Sequence, residues 1–237
     1  MIYRLKLAFK LEKNSITIRH NNLFASFIKK CLSQEYPEVF EKLYSSNISK
    51  PFTFASYLPG AKPDGEVFVL TNDICNVIIS SSDSAFLIEL QACLKKSKFK
   101  PYPMPLGNTM MLISVDFELL KEITEDKVII KFLSPLLVRN HNRETNKDFY
   151  LDYTSPDFEE KLNIIVKNQI GKDVSISLKP VNAHRTVVNC LDDKVNCSYG
   201  IFELSGDVDV INKLYKDGIG SKRSCGFGCF NILSKGA

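Results

Sequence analysis

The chain has 237 residues, enough to bury one large core or two of ordinary size. Apolar residues make up 44% and charged residues 24%, an ordinary balance for a soluble fold, and no apolar run is long enough to cross a bilayer. A net charge of only +4 excludes a general electrostatic field as the source of nucleic-acid affinity, which must come from local basic patches. Residues 1–9 alternate like a strand and lack the long apolar block of an export signal. Leu23, Phe24, Phe27, Ile28, Cys31 and Leu32 then recur at the spacing of one helix face. Pro37 starts a further helical turn with Val39, Phe40 and Leu43. Residues 52–58 and 66–70 read as a hairpin joined by the Pro-Gly-rich stretch 59–65, and 75–80 as another short strand. Ser82 or Asp83 can cap a helix running to about residue 98, with Phe86, Leu87, Leu90, Cys93 and Leu94 inward. Residues 110–117 close the unit as a strand.

The second half repeats this plan. Residues 127–133 and 136–139 are strand-like, and 149–153 add a hairpin arm. Pro156 opens a helix through Ile170, with Phe158, Leu162, Ile165 and Val166 on one side. Strands follow at 174–178, 185–190 and 199–204, then a helix at 208–215 and a last strand at 227–233. Two successive β-α-β-β-α-β units predict an α+β protein of two tandem ferredoxin-like domains, 1–120 and 126–237, joined through 119–126. The two halves share pattern and not sequence.

Seven cysteines, an odd number without a Cys-x-x-Cys pair, fit a reducing cytosol better than an export route. Cys225 and Cys229 have no nearby histidine to complete a zinc site, and His20, His141 and His184 are scattered. Neither a structural metal nor a cofactor is expected.

The most informative segment is Gly218-Ile219-Gly220-Ser221-Lys222-Arg223-Ser224-Cys225-Gly226-Phe227-Gly228. Two Gly-apolar-Gly triplets enclose a Lys-Arg pair and two serines. Glycine permits positive φ and close backbone approach, successive amides can form an anion-binding concavity, and Lys222 and Arg223 supply charge for phosphate. Arg223 stands where a Rossmann fingerprint needs its third glycine, and no Gly-Lys-Ser/Thr triplet makes a P-loop. Both of those motifs leave a strand and open a helix, whereas this loop leaves a helix and enters a strand. RNA backbone is therefore the leading ligand. The plainer reading is a glycine-rich turn at a helix end followed by a bulged strand.

Tandem ferredoxin-like units ending in such a loop resemble the repeat-associated RNA-binding proteins of CRISPR systems. Asn21-Asn22-Leu23, Lys50-Pro51-Phe52-Thr53-Phe54 and Ser134-Pro135-Leu136-Leu137-Val138-Arg139 add to the likeness. Within that group the chain looks most like the Cas-six family, endoribonucleases that cut precursor CRISPR RNA within its repeats. The resemblance implies that the loop from Gly218 to Gly228 packs between the domains and contacts RNA. It also implies a metal-independent reaction in which a ribose 2′-OH attacks the adjacent phosphorus, leaving a 2′,3′-cyclic phosphate and a 5′-OH.

Such chemistry needs a base, a cation at the phosphorane and a proton for the leaving oxygen. The family often carries a tyrosine on the first helix, a histidine at the end of the next helical segment and a lysine a few residues on. Lys50 matches the lysine, whereas Lys29 or Lys30 stands in the tyrosine's place and Tyr44 or Ser45 in the histidine's. Lys50, with His20 or Tyr44, is thus the expected catalytic set. A solvated Lys50, a helix-capping His20 and a core-packed Tyr44 are the structural alternatives.

Expected RNA contacts are Lys29, Lys30, Arg139, His141, Arg143, Arg185, Gly218, Gly220, Ser221, Lys222, Arg223, Ser224, Gly226 and Gly228. The expected partner is CRISPR repeat RNA in the cytoplasm, with no membrane. A second copy or an effector complex is left open, as are two other classes: a non-catalytic repeat-binding subunit, and an unrelated ferredoxin-like metabolite or regulatory domain.

Overall fold

The computed structural model describes residues 2–45, 49–190 and 193–235. Strand β1 (Ile2–Leu11) buries Leu5, Leu7, Phe9 and Leu11 while Lys6 and Lys10 face outward, so one side of its sheet receives helices and the other stays open. After the short β2 (Ser15–Thr17), helix α1 (His20–Glu35) lays its predicted stripe on that sheet. Phe24 and Phe27 each pack 5.3 Å from Phe9, centroid to centroid. Helix α2 (Pro37–Tyr44) starts on its proline. Next come β3 (Phe52–Tyr57), β4 (Lys62–Asp64), β5 (Val67–Val69) and β6 (Ile74–Ser81). Helix α3 (Ser84–Lys96) is capped by the Asp83 carboxylate, which accepts from the Phe86 amide at 3.0 Å. Strands β7 (Pro101–Met104) and β8 (Asn108–Leu120) end the half. The antiparallel sheet has the order β3-β6-β1-β8-β7.

The expected hairpin between 52–58 and 66–70 does not form. Phe52 to Tyr57 pair instead with Ser81 to Asn76, because six ladder positions on a long buried strand outweigh the three that β5 could offer. Strands β4 and β5 form their own hairpin, which β2 extends into a separate three-stranded sheet.

The second half contains β9 (Lys127–Phe132), the hairpin β10 (Val138–Asn142) and β11 (Lys147–Leu151), and α4 (Phe158–Ile170). Then follow β12 (Ile176–Cys190), β13 (Asp193–Gly206), α5 (Val208–Asp217) and β14 (Phe230–Lys235). Its sheet order, β12-β13-β9-β14, repeats the arrangement of β3-β6-β1-β8, and both are the ferredoxin-like order. The two strands expected at 174–178 and 185–190 are one 15-residue strand, bulged between Pro180 and Asn182. Pro180 is tolerated there because β12 lies at the sheet edge.

Each half has its own apolar core, and polar ties join them. Arg4 of β1, paired within its own sheet to Glu118 of β8 at 2.5 Å, reaches across to Asn231 of β14 at 2.6 Å. Ser82 donates through its amide and hydroxyl to the buried Asp217 carboxylate at 2.7 and 3.0 Å. Among the described residues no helix is long and apolar enough to cross a membrane.

Candidate nucleic-acid interface

The glycine loop fills the seam between the halves. Its four glycines have φ of 77°, 94°, 85° and 71° at 218, 220, 226 and 228. Each is glycine for want of room as well as for conformation. A Cβ at Gly218 would meet the Thr53 side chain at 2.8 Å, and one at Gly226 would meet the Phe54 ring at 2.8 Å, both in the first half. At Gly220 and Gly228 it would meet the carbonyl oxygens of Leu137 and Ile219 in the second half. Thr53 Oγ1 donates to Phe227 O at 2.7 Å and Asn21 Nδ2 to Gly226 O at 3.3 Å. The amides of Ile219, Ser221, Cys225, Gly226 and Gly228 all donate to protein carbonyls. This departs from the sequence expectation of an open anion cradle: the amides bond within the loop and to Pro135 and Leu137, while the carbonyls of Gly226 and Phe227 take the bonds from the first half.

Lys222 and Arg223 part company. Arg223 is 6% exposed, and its guanidinium donates to Asp217 O (2.6 Å), Ser49 Oγ (2.8 Å) and Lys50 O (3.3 Å). Burial moves its pKa downward. The expectation that Arg223 faces phosphate is thus corrected by its position in the seam. Lys222 is half-buried, donates to Tyr150 Oη at 3.1 Å and lies 5.2 Å from that ring's centroid. Ser221 and Ser224 are half-exposed, and Ser221 Oγ accepts from the Arg139 amide at 3.3 Å.

Beside the loop, three elements converge on one aromatic ring. Tyr44, at the end of α2, has Lys29 Nζ from α1 at 4.9 Å from its centroid and Lys50 Nζ from the approach to β3 at 5.4 Å. Two ammoniums on one ring make a local cationic focus, and the ring's π-face favours both. Burial, with a smaller push from the neighbouring Cys225 thiol, raises the Tyr44 hydroxyl above its ordinary pKa, so it holds its proton. Lys30, one residue on, points elsewhere and covers Tyr102 at 5.0 Å.

His20 does not join this group. It opens α1, nine residues before Lys29, or about 13 Å along the helix axis. There it packs edge-on against Phe68, its centroid 5.8 Å away, and burial pushes its imidazole down to about 4. It lines a groove shared with Ser56, Leu133, His184 and Tyr199. In the β10–β11 hairpin, Asp148 binds Arg139 Nε and His141 Nδ1, both at 2.7 Å. Although partial desolvation acts upward, those partners hold its carboxyl below the ordinary range. Arg143 is exposed at the turn. Arg185 pairs with the buried Asp152 at 2.9 Å, which leaves most of its side chain on the surface.

Residues 118–232 match the family model "CRISPR associated protein Cas6, C-terminal". The C-terminal half of the chain thus carries a Cas6-type domain. Solved structures agree in fold. A Cas6-related protein of Pyrococcus furiosus aligns with TM-score 0.85 at 19% identity, over 98% of this chain and 99% of its own. A RAMP protein described as binding different RNA substrates gives 0.84 at 19%, over 98% and 100%. A Cas6 product complex gives 0.72 at 16%, over 98% and 100%. No curated protein sequence matches.

Within this fold, the sequence had marked Lys29, Tyr44 and Lys50 singly but gave no sign that they share a ring. Their contact depends on how α2 turns back beside α1, which no local spacing encodes. Tyr150, Ser49 and Cys225 were missed as neighbours of the site. Only the position of Cys225 inside the glycine loop could have pointed to it.

Proposed function

We propose that the protein is an endoribonuclease that processes precursor CRISPR RNA within its repeats. The observation that carries this reading is the Lys29–Tyr44–Lys50 group, set against the glycine loop of a chain whose C-terminal half matches the Cas6 model. Lys50 and Lys29 would stabilise the negative charge that develops as the 2′-OH attacks phosphorus. Tyr44, kept protonated, would hand a proton to the departing 5′-oxygen and be reprotonated from solvent, which takes up the proton the 2′-OH gives up. The products would be a 2′,3′-cyclic phosphate and a 5′-OH end. Lys222, Ser221, Ser224 and the basic residues Lys30, Arg139, His141, Arg143 and Arg185 would grip the backbone on either side. In this reading the four glycines and Arg223 act by shaping the seam.

Repeat RNA incubated in EDTA tests it, with a matched strand carrying a 2′-deoxy sugar at the cut. Cleavage of the all-ribose strand alone supports the enzyme. Lys50→Ala should slow that cleavage by roughly 10²–10³-fold, the usual cost of one transition-state charge contact. A second reading, a repeat-binding subunit of an effector complex, is favoured by one observation: among the described residues no imidazole is seen to pack on the Tyr44 ring, and His20 lies at the start of α1 against Phe68. Tight binding without cleavage of either strand would establish it.

A further inference from the structure

Arg223 has partners that assign it a task inside the protein. Its Nη1 donates to Asp217 O at the end of α5, while Nη2 donates to Ser49 Oγ and Lys50 O in the other half of the chain. A side chain from the glycine loop therefore grips the main chain of the very residue that presents an ammonium to Tyr44. The planar, five-donor guanidinium suits three acceptors in fixed directions, which a lysine could not span. Other ties hold the seam without it: Thr53 to Phe227, Asn21 to Gly226, and Ser82 to Asp217. Its loss should then release residues 49–50 and leave the halves docked.

We propose, resting on the reading of the site above, that Arg223 is a positioning residue that sets Lys50 and thereby the cleavage geometry. Assembly of the reactive group and docking of the two halves are then a single event. No RNA contact by Arg223 is involved.

The test uses Arg223→Gln, Arg223→Lys and Ser49→Ala in the full chain, each alone and combined with Lys50→Ala. Arg223→Gln should slow single-turnover cleavage of repeat RNA by roughly 10–100-fold, as misplacement near 1 Å does. Its Kd for the 2′-deoxy strand should stay within about threefold of wild type. In the Lys50→Ala background it should cost nothing further, because both changes remove one interaction. Arg223→Lys should restore only part of the rate. Amide hydrogen exchange should quicken at residues 49–53 and stay unchanged in β9. Ser49→Ala, which leaves the guanidinium in place, should show the same pattern more weakly, and it decides the matter if Arg223→Gln unfolds.

Losses that multiply with Lys50→Ala, a Kd that weakens in step with the rate, or unchanged exchange at 49–53 would each overturn the proposal. If the wild-type chain leaves RNA uncut, the endoribonuclease reading falls and the exchange measurement alone decides whether Arg223 holds Lys50.

Discussion

Replacing Gly228 with alanine isolates what the glycine loop does for the fold. Its φ of +71° already disfavours an L-residue, at a cost of about 1 kcal/mol. The new Cβ would also lie 1.8 Å from Ile219 O, 2.9 Å from that carbonyl carbon and 3.0 Å from Ile219 N. All three are backbone atoms, so no side chain can swing aside. Relief requires the two strands of the loop to separate. That breaks the bonds from Ile219 N to Gly228 O (2.9 Å) and from Gly228 N to Pro135 O (2.8 Å). Buried groups left unpaired cost about 1–3 kcal/mol each, so the total is about 4 kcal/mol or more. Gly171, at the end of α4, supplies the control: its φ is +77°, yet nothing lies within 4 Å of its Cβ position. Gly171→Ala should cost only about 1 kcal/mol. With a urea slope of about 2 kcal/mol/M, the midpoint should fall by roughly 2 M for Gly228→Ala and 0.5 M for Gly171→Ala. Equal shifts in parallel urea titrations would refute the steric reasoning.

Two further outcomes follow from the site. His20 is lowered to about 4 when folded, whereas in the unfolded chain it titrates near its ordinary 6.5. The unfolded chain therefore binds the proton first as pH falls, and stability present above about pH 6.5 is lost toward pH 4, by up to about 3 kcal/mol. His20→Gln should flatten this dependence in urea titrations at pH 7 and 5, and an unchanged slope would contradict it. Replacing Arg139 and Arg143 together with glutamine should weaken binding of repeat RNA. It should also reduce the slope of log affinity against log salt by about one to two, and an unaltered slope would remove the hairpin from the interface.

The helices were legible because burial follows their spacing: all six apolar stripe residues of α1 are buried, and of the two candidate caps, Ser82 and Asp83, it is Asp83 that caps α3. The twin ferredoxin-like pattern followed from those helices and the strands between them. The small β2-β5-β4 sheet was not legible, since three-residue strands carry no period. The pairing of β3 with β6 was missed because it is set by the length of the partner and not by the nearest turn. In the site, the glycines marked the seam correctly, but the basic pair between them pointed two ways. Adjacent residues on a tight turn face different surroundings, so one lysine stayed near solvent while the neighbouring arginine was enclosed. His20 is similar: an apolar neighbour, Phe68, arrives from a hairpin almost fifty positions later in the chain.

Of the seven thiols, six are sealed in the interior and only Cys225 is partly open to water. Burial pushes Cys75, Cys93, Cys197 and Cys229 up to about 12, which makes them poor nucleophiles at neutral pH. Nature has thus left a single natural labelling point, and it sits beside the phenol that two ammoniums flank. A maleimide dye would attach there without any engineered cysteine, and its emission on adding repeat RNA would test, from within the unmodified sequence, whether a strand reaches the seam.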